Sequence, residues 1–152
     1  MQSRSRGFTL IEMMVVVTIA AVMLGLGVPS FKSFIAGQRV KTSASAFALA
    51  AVHARSEAIK RNGEASVVAA AGGWKDGWSV KAGTVTLSEQ PAYPGLTMTS
   101  AVSEIVYLGS GRLKEQALVS SLQITGEGGS PARCVSFELS GLPKSRLGNC
   151  PS

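Results

Sequence analysis

The chain has 152 residues, of which 45% are hydrophobic and 16% are charged. This length and composition allow one small folded domain beside a hydrophobic segment, and they exclude a wholly disordered chain. The formal net charge of +6 permits an anionic partner but is too small to demand one.

The chain begins with a short basic leader, which is followed by a long apolar segment. Arg4 and Arg6 precede the segment 8–28, in which Glu12 is the one charged residue. At about 1.5 Å per residue, a helix over this segment would match the hydrocarbon core of a bilayer. Since Lys and Arg favour the cytoplasmic side, the leader is expected inside and the remainder outside. We therefore predict a membrane-spanning helix over 8–29.

Glu12 is unusual in this segment, because a carboxylate in hydrocarbon costs about 2.5–3.5 kcal/mol even on lenient insertion scales. A lone acid there predicts a functional site with a cationic partner. The basic leader, the motif Gly7-Phe8-Thr9-Leu10-Ile11-Glu12 and the apolar run together resemble the N terminus of a type IV prepilin. The alternative interpretation is that Glu12 lies near the membrane surface and extends its carboxylate to water.

The prepilin resemblance implies roles for three residues of the motif. Residues 1–7 would be a leader that a prepilin peptidase removes after Gly7. Phe8 would become the mature N terminus and would be N-methylated. Glu12 would neutralise the Phe8 amine of a neighbouring subunit and so set the register of a filament. Without the two leader arginines the chain would carry 13 basic and 9 acidic residues, a net charge of +4.

Residues 30–62 are predicted to form an amphipathic helix. Gly25, Gly27 and Pro29 precede it and weaken a helix locally, so that either a kink, as in pilins, or an end to the membrane helix is expected there. One face carries small and apolar residues at steps of four and three, a spacing typical of a helix packed on a sheet: Val40, Ala44, Phe47, Ala51, Ala54 and Ala58. Basic residues outnumber the one acid, Glu57, and indicate a solvated face or one that lies against lipid head groups or acidic neighbours. Asn62-Gly63 predicts the C-terminal cap.

Beyond the helix the pattern becomes strand-like. Strands are predicted at 64–70, 78–81, 84–87, 104–108, 118–124 and 134–139, with a loop at 91–95. Asp76-Gly77 lies between Trp74 and Trp78 and predicts a hairpin turn, with Trp78 expected in the core. One early helix followed only by strands predicts an α+β fold, in which an antiparallel sheet over 64–140 is laid on the helix.

Three segments of the predicted head domain, residues 30–152, extend the resemblance to a particular family. Ala54-Arg55-Ser56-Glu57-Ala58-Ile59, Gly77-Trp78-Ser79-Val80 and Ile105-Val106-Tyr107 before Gly109-Ser110-Gly111 resemble the GspH/FimT family of minor pilins and pseudopilins. The resemblance implies a single-pass subunit of the bacterial inner membrane with a periplasmic domain, which supports assembly of a type IV pilus, twitching motility and DNA uptake. A minor pseudopilin of a type II secretion system is the alternative.

Cys134 and Cys150 are the two cysteines of the chain. Beyond a membrane-directing segment, an even count predicts a disulfide in an oxidising compartment. The closed loop 134–150 would stabilise the fold by about 3 kcal/mol in the chain-entropy model. The alternative is two unrelated free thiols.

The same loop carries two cations. Some relatives called FimT are associated with DNA uptake through a C-terminal Gly-Arg-x-Arg tail. In the corresponding segment, Gly141-Leu142-Pro143-Lys144-Ser145-Arg146, Leu142 and Lys144 stand where those relatives have arginines. Lys144 and Arg146 remain able to contact phosphates, with a small and salt-sensitive share of affinity. The alternative is a solvated loop.

Nothing in the sequence predicts catalysis. His53 is the single histidine, and it lies in a predicted helix without a forced Ser-His-Asp set. No Cys/His cluster has metal-ligand spacing, and the glycine-rich segments lack the Lys-Ser/Thr ending of a phosphate loop. We therefore predict neither an enzyme nor a bound cofactor or metal. The expected partners are other pilins, the prepilin peptidase and the membrane, with DNA as an open possibility.

Overall fold

The structure is a computed structural model that describes residues 7–114, 121–127, 130–138 and 140–151, and it describes the backbone but not the side chains of 26–30. The predicted leader lies outside the described residues except for Gly7. The predicted membrane span and the predicted strands 118–124 and 134–139 lie partly outside them.

One helix, α1 (Leu10–Arg61), runs for 52 residues and continues through Pro29. Thr9 caps its N terminus, where the Thr9 and Glu12 side chains exchange hydrogen bonds with each other's backbone N–H groups. At the other end Asn62 adopts a left-handed conformation with φ of 50°, and its N–H bonds to the carbonyl groups of the last turn. The predicted C-terminal cap is thus confirmed.

Strands follow the helix and form two antiparallel sheets within the described residues. They are β1 (Ala65–Ala70), β2 (Gly73–Ala82), β3 (Val85–Gln90), β4 (Leu96–Thr99), β5 (Glu104–Tyr107), β6 (Ser121–Gly126), β7 (Arg133–Phe137) and β8 (Pro143–Leu147). The first sheet has the order β3-β2-β1-β5, and the second has the order β4-β6-β7-β8. The predicted α+β fold is confirmed, although the strands form two sheets rather than one.

Two of the strands, β4 and β8, are not predicted by the sequence pattern. β4 has only four residues, and its alternation of Leu and Met with two threonines follows the loop signal Pro94-Gly95, which makes the pattern a weak one. β8 begins at Pro143 and carries Lys144 and Arg146, so it does not read as a strand. It lies at the edge of its sheet, where proline and charged side chains are tolerated because one side of the strand needs no hydrogen-bond partner. The sequence predicts residues 143–147 as part of a loop, and this part of the prediction was wrong.

The predicted hairpin turn at Asp76-Gly77 is also wrong, since β2 runs through both residues. The register of β2 on β1 shifts beside Ala69, so that residues 74–77 form a bulge. Gly77 has a φ of 107°, and a side chain there would collide with the carbonyl of Gln90. Glycine is therefore needed at this position because the strand bulges and the Gln90 carbonyl lies close, and not because the chain turns there.

The core lies between α1 and the inner faces of the sheets. The predicted apolar face of the helix is confirmed, because all six of its residues are fully buried. Phe47 meets the rings of Trp74 and Trp78 edge-on, at centroid distances of 5.1 and 5.4 Å. Trp78 is buried as expected, and Trp74 is buried as well, with its indole N–H donating to the Val102 carbonyl at 2.8 Å.

Tyr107 connects the two sheets. It is fully buried on β5, and its hydroxyl donates to the carbonyl of Gly141, in the turn between β7 and β8, at 2.9 Å. Burial raises the pKa of the Tyr107 hydroxyl. Gly141 has a φ of 82°, and a side chain there would press on the Tyr107 ring and on the carbonyl of Gly111. This contact fixes the C-terminal turn against the first sheet.

Candidate assembly surface of the N-terminal helix

We call the residues of α1 up to Pro29 its first half and the residues after Pro29 its second half. The large apolar side chains at the start of the first half are exposed. Every large apolar residue from Phe8 to Leu24 is between 51% and 78% exposed. Within the described residues, no helix combines the length and the apolarity that crossing a membrane requires. The exposed surface nevertheless far exceeds the scattered apolar side chains that are normal on a soluble domain. It needs a cover that the described part of the chain does not supply.

Glu12 lies at the start of this exposed surface. One carboxylate oxygen, Oε2, accepts hydrogen bonds from the Thr9 backbone N–H and from the Thr9 hydroxyl, both at 3.1 Å. The Glu12 N–H in turn donates to the Thr9 hydroxyl at 3.4 Å. The other oxygen, Oε1, accepts no hydrogen bond from the described residues. A capped helix start and a free carboxylate oxygen therefore occur at one residue.

Thr9 is a partner of Glu12 that was not predicted. The signal is present in the sequence, since Thr-x-x-Glu before an apolar run is the capping-box pattern. The expected intermolecular role of Glu12 does not require this local one. The local role occupies only Oε2, so it is compatible with the predicted one.

The predicted disulfide is confirmed. Cys134 on β7 is bonded to Cys150, with an S–S distance of 2.05 Å. Gln123 on the neighbouring strand β6 also holds the tail, because its side chain accepts from the Cys150 N–H and donates to Asn149. The C-terminal tail therefore lies over the outer face of the second sheet.

The two candidate DNA-contacting residues lie together on β8. Lys144 and Arg146 are two positions apart, so they share one face of the strand. They pair with Ser136 and Cys134, which places them on the outer face of the second sheet. Lys144 lies 3.7 Å from the Glu138 carboxylate, an ion pair that offsets part of its charge. Arg146 is exposed and makes no ion pair with the described residues.

His53 does not form a catalytic group within the described residues. Its Nδ1 lies 3.5 Å from the Ser88 hydroxyl on the protein surface, and no carboxylate orients the ring. In the same part of the chain, no group of three or more His, Cys, Asp or Glu side chains could hold a metal ion.

Two family comparisons agree with this geometry. The prokaryotic N-terminal methylation motif matches residues 2–28. The type II transport protein GspH family matches residues 43–141, well over half of the chain. The chain belongs to the GspH family. This family consists of pilins and pseudopilins, structural subunits that are anchored in a membrane and assemble with one another into filaments.

Solved structures share the fold of this GspH-family chain. The type IV minor pilin FimU of Pseudomonas aeruginosa, in a crystal of space group P21, is 20% identical with a TM-score of 0.59, over 75% of this chain and 90% of FimU. A second FimU crystal form, in P65, is 21% identical with a TM-score of 0.58, over 70% and 90% of the two chains. The minor pseudopilin EpsH from the type 2 secretion system of Vibrio cholerae is 16% identical with a TM-score of 0.53, over 73% and 97%. No curated protein sequence matches the chain.

The GspH-family match ends at Gly141, before β8 begins. Lys144, Arg146 and Cys150 therefore lie beyond the matched segment. The methylation-motif match, in contrast, contains Phe8 and Glu12 together with the predicted cleavage site.

Proposed function

We propose that this GspH-family chain is a minor pilin of a type IV pilus, of the FimT-like kind. A prepilin peptidase removes residues 1–7 after Gly7, and Phe8 becomes the N-methylated first residue. The segment 8–29 holds the subunit in the bacterial inner membrane, with residues 30–152 in the periplasm. The observation that carries the proposal is the exposed apolar first half of α1, joined to a head that has a buried core of its own.

Assembly would exchange one apolar environment for another. In the membrane, lipid covers the first half of α1, and in the filament the helices of neighbouring pilins cover it. Burial at about 25 cal/mol per Å² offsets the loss of lipid contact. The free Oε1 of Glu12 would then accept the charged Phe8 amine of a neighbour, so that each charge reduces the burial cost of the other.

Mass spectrometry of the protein from its native host tests the processing step. We expect a mature chain that begins at N-methylated Phe8 and is found in the sheared pilus fraction. A Gly7→Val chain should remain uncleaved in the membrane, whereas a Gly25→Val control should be cleaved normally. A native chain that retains residues 1–7 would contradict the proposal.

A Glu12→Ala variant tests the assembly step. Membrane insertion should be intact or improved because a buried carboxylate is removed. Entry into the sheared pilus fraction should fall at least about tenfold, since the loss of one buried ion-pair partner leaves the other charge uncompensated. The matched control is Glu104→Ala, which removes an exposed carboxylate of the head. Equal entry by the two variants would refute the pairing.

A minor pseudopilin of a type II secretion system is the second candidate, favoured by the description of the matched family. Deletion of the gene in the native host separates the two. Loss of twitching motility with normal protein secretion supports the pilus, and the reverse result supports the secretion system. Restoration by the intact gene is the control for both readouts.

DNA binding is a third candidate, favoured by the shared outward face of Lys144 and Arg146. A gel-shift assay of the full chain in detergent with duplex DNA, at low and physiological salt, tests it. Replacing both residues by alanine should abolish the shift, whereas Lys75→Ala with Arg112→Ala, also exposed cations of the head, should preserve it. Absence of any shift at low salt, or an unchanged shift in the first variant, would remove this candidate.

A further inference from the structure

The second half of α1 carries an uncharged stripe on its exposed side, which we call the outer stripe. Its members recur at alternating steps of four and three, and all of them are exposed: Phe31, Ile35, Gln38, Thr42, Ser45, Leu49, Val52, Ser56 and Ile59. Such alternation has a mean period of 3.5 residues, which keeps one seam of a helix in contact with a second helix. The spacing therefore allows a second helix to lie along the stripe, with apolar contacts towards its two ends and polar ones at Gln38, Thr42 and Ser45 in its middle.

The outer stripe is separate from the face that packs on the sheets. That buried face, which contains Phe47, runs along the opposite side of the helix and is already covered by the head. On the outer stripe, Phe31 and Leu49 are 65% and 69% exposed, although both are large apolar side chains. The Ser56 hydroxyl donates to the Val52 carbonyl, so it adds no unsatisfied polar group to the stripe. The second half of α1 thus has two contact faces, and the described residues leave one of them uncovered.

The margins of the outer stripe are basic. The positions that flank it on either side include five cations and no acid: Lys32, Arg39, Lys41, Arg55 and Lys60. The remaining flanking positions are neutral: Phe34, Ala46, Ala48 and His53. Glu57 lies one position further round the helix, where it is paired with Arg61 at 2.9 Å and with Lys60 of the margin at 3.5 Å, so part of the Lys60 charge is offset. Arg55 is held in place by donating to the Gly111 carbonyl at 2.9 Å.

The charge pattern restricts what can cover the stripe. In paired helices the flanking positions face each other and select the partner through their charges. A second copy of this chain would bring basic margins together, with Arg55 of one helix facing Lys60 of the other. Lys32 and Lys41 make no ion pair with the described residues, whereas Arg39 lines one cavity with the exposed acid Glu127 without forming an ion pair to it. A helix with acidic margins fits both the stripe and its charges.

We propose that the outer stripe docks a helix of a different subunit, one that has acidic residues at its flanking positions, and that the basic margins disfavour a second copy of this chain. The inference rests on the proposed function, because a shared filament brings helices of the same polarity side by side. Like charges act against the wrong partner while opposite charges attract the right one. The chain would accordingly occupy single positions among other pilins rather than form runs of itself.

Two synthetic helices of about 28 residues can probe the surface. Both carry Leu and Val at the two stripe positions of each heptad. One has Glu at every flanking position and the other has Lys, so that each repels its own copies to the same extent. Binding of each fluorescent peptide to the full chain in detergent is followed by anisotropy. We expect the Glu peptide to bind at least about tenfold more tightly, with a preference that shrinks as salt is raised.

Charge reversal tests the margins directly. Arg39→Glu with Lys41→Glu should abolish or invert the peptide preference. The matched control, Lys75→Glu with Arg112→Glu, has the same change in net charge on exposed residues of the head and should keep the preference. Leu49→Asp should prevent binding of the Glu peptide. Equal binding of both peptides, no binding of either, or equal effects of the two double variants would overturn the proposal.

Oxidation of a Leu49→Cys chain tests the exclusion of self-pairing. We expect it to remain monomeric in detergent, and efficient disulfide dimerisation through position 49 would overturn this part of the inference. These outcomes are independent of processing. If the chain is cleaved before Phe8 and enters filaments but shows no charge-dependent peptide binding, the docking proposal alone is refuted. If the chain is never cleaved, the proposed function is refuted.

Discussion

The two halves of α1 belong to one continuous helix, yet their apolar residues have opposite fates. Between Phe8 and Leu24 every large apolar side chain is more than half exposed, whereas the apolar face that contains Phe47 is fully buried by the sheets. The two parts differ both in apolar content and in how their apolar residues are arranged round the helix. Residues 13–24 are apolar almost all round, which no single sheet could cover. The second half confines its buried residues to one face.

This comparison separates folding from assembly. The head obtains its stability from the second half of α1 and the sheets, so changes there should alter unfolding of the head. Changes in the first half should alter assembly and leave the head unfolding as before. Substitutions that reverse this assignment would break the comparison.

The largest effect on stability is expected at Phe47. Phe47→Ala removes a fully buried ring that contacts Trp74 and Trp78, and it should lower the free energy of unfolding of the head by about 3–5 kcal/mol. Urea unfolding followed by tryptophan fluorescence measures this directly. The matched control, Phe31→Ala, truncates a ring that is 65% exposed and should change stability by less than about 0.5 kcal/mol. Similar losses in both variants would contradict the division.

The disulfide is expected to have the next largest effect. Replacing Cys134 and Cys150 by alanine should cost the head about 3 kcal/mol, because the unfolded chain regains the freedom of a loop with a sequence separation of 16. Urea unfolding of the double variant and of the wild type, each with and without reductant, measures it. Reductant should destabilise the wild type and leave the variant unchanged. A loss under about 1 kcal/mol would mean that Gln123 alone holds the tail.

Features set by a strong local pattern could be predicted from the sequence. The six residues of the buried apolar face of α1, from Val40 to Ala58, follow a spacing that is typical of a helix packed on a core. Asn62-Gly63 likewise predicted the end of the helix, and the even cysteine count predicted the disulfide. The prepilin motif, in turn, indicates Phe8 and Glu12 through residue types and spacing alone.

Features that depend on distant contacts could not be predicted. The bulge at 74–77 looks like a turn locally, because a glycine with positive φ serves both, and only the close approach of Gln90 decides between them. β8 has a proline and alternating cations, and it is a strand because β7 offers it an edge. The outer stripe is present in the sequence, but only the exposure of its residues in the folded chain shows that the described residues leave it uncovered.

A smaller effect is expected at Tyr107. Tyr107→Phe removes the hydrogen bond to the Gly141 carbonyl and should cost about 1 kcal/mol at neutral pH. Burial raises the pKa of this hydroxyl in the folded state, so its contribution is complete below the unfolded value of about 10 and is lost as pH rises through the folded pKa. In urea unfolding at pH 7 and above pH 10, the free energy of unfolding should fall more steeply with pH for the wild type than for the Tyr107→Phe variant. The raised pKa of Tyr93 should leave a weaker dependence in the variant. Equal slopes would contradict the burial of the Tyr107 hydroxyl.

The smallest effect is expected at Glu57, and it compares the two ends of α1. Glu12 caps the start of the helix through Thr9, while Glu57 stabilises its last turn through Arg61 at 2.9 Å. The hydrogen bond from Arg61 lowers the pKa of Glu57, so its contribution is present above the unfolded value of about 4.3 and is lost as pH falls through the folded pKa. Glu57→Gln should slightly reduce stability at pH 7 and flatten its decline in acid, as measured by urea unfolding from pH 7 to 3. Glu104→Gln, an exposed acid on β5, is the control and should keep the decline. If Glu104→Gln flattens the decline in acid as much as Glu57→Gln does, the last turn does not depend on the Glu57–Arg61 pair. The end of α1 would then be held only by the packing of its buried face on the head.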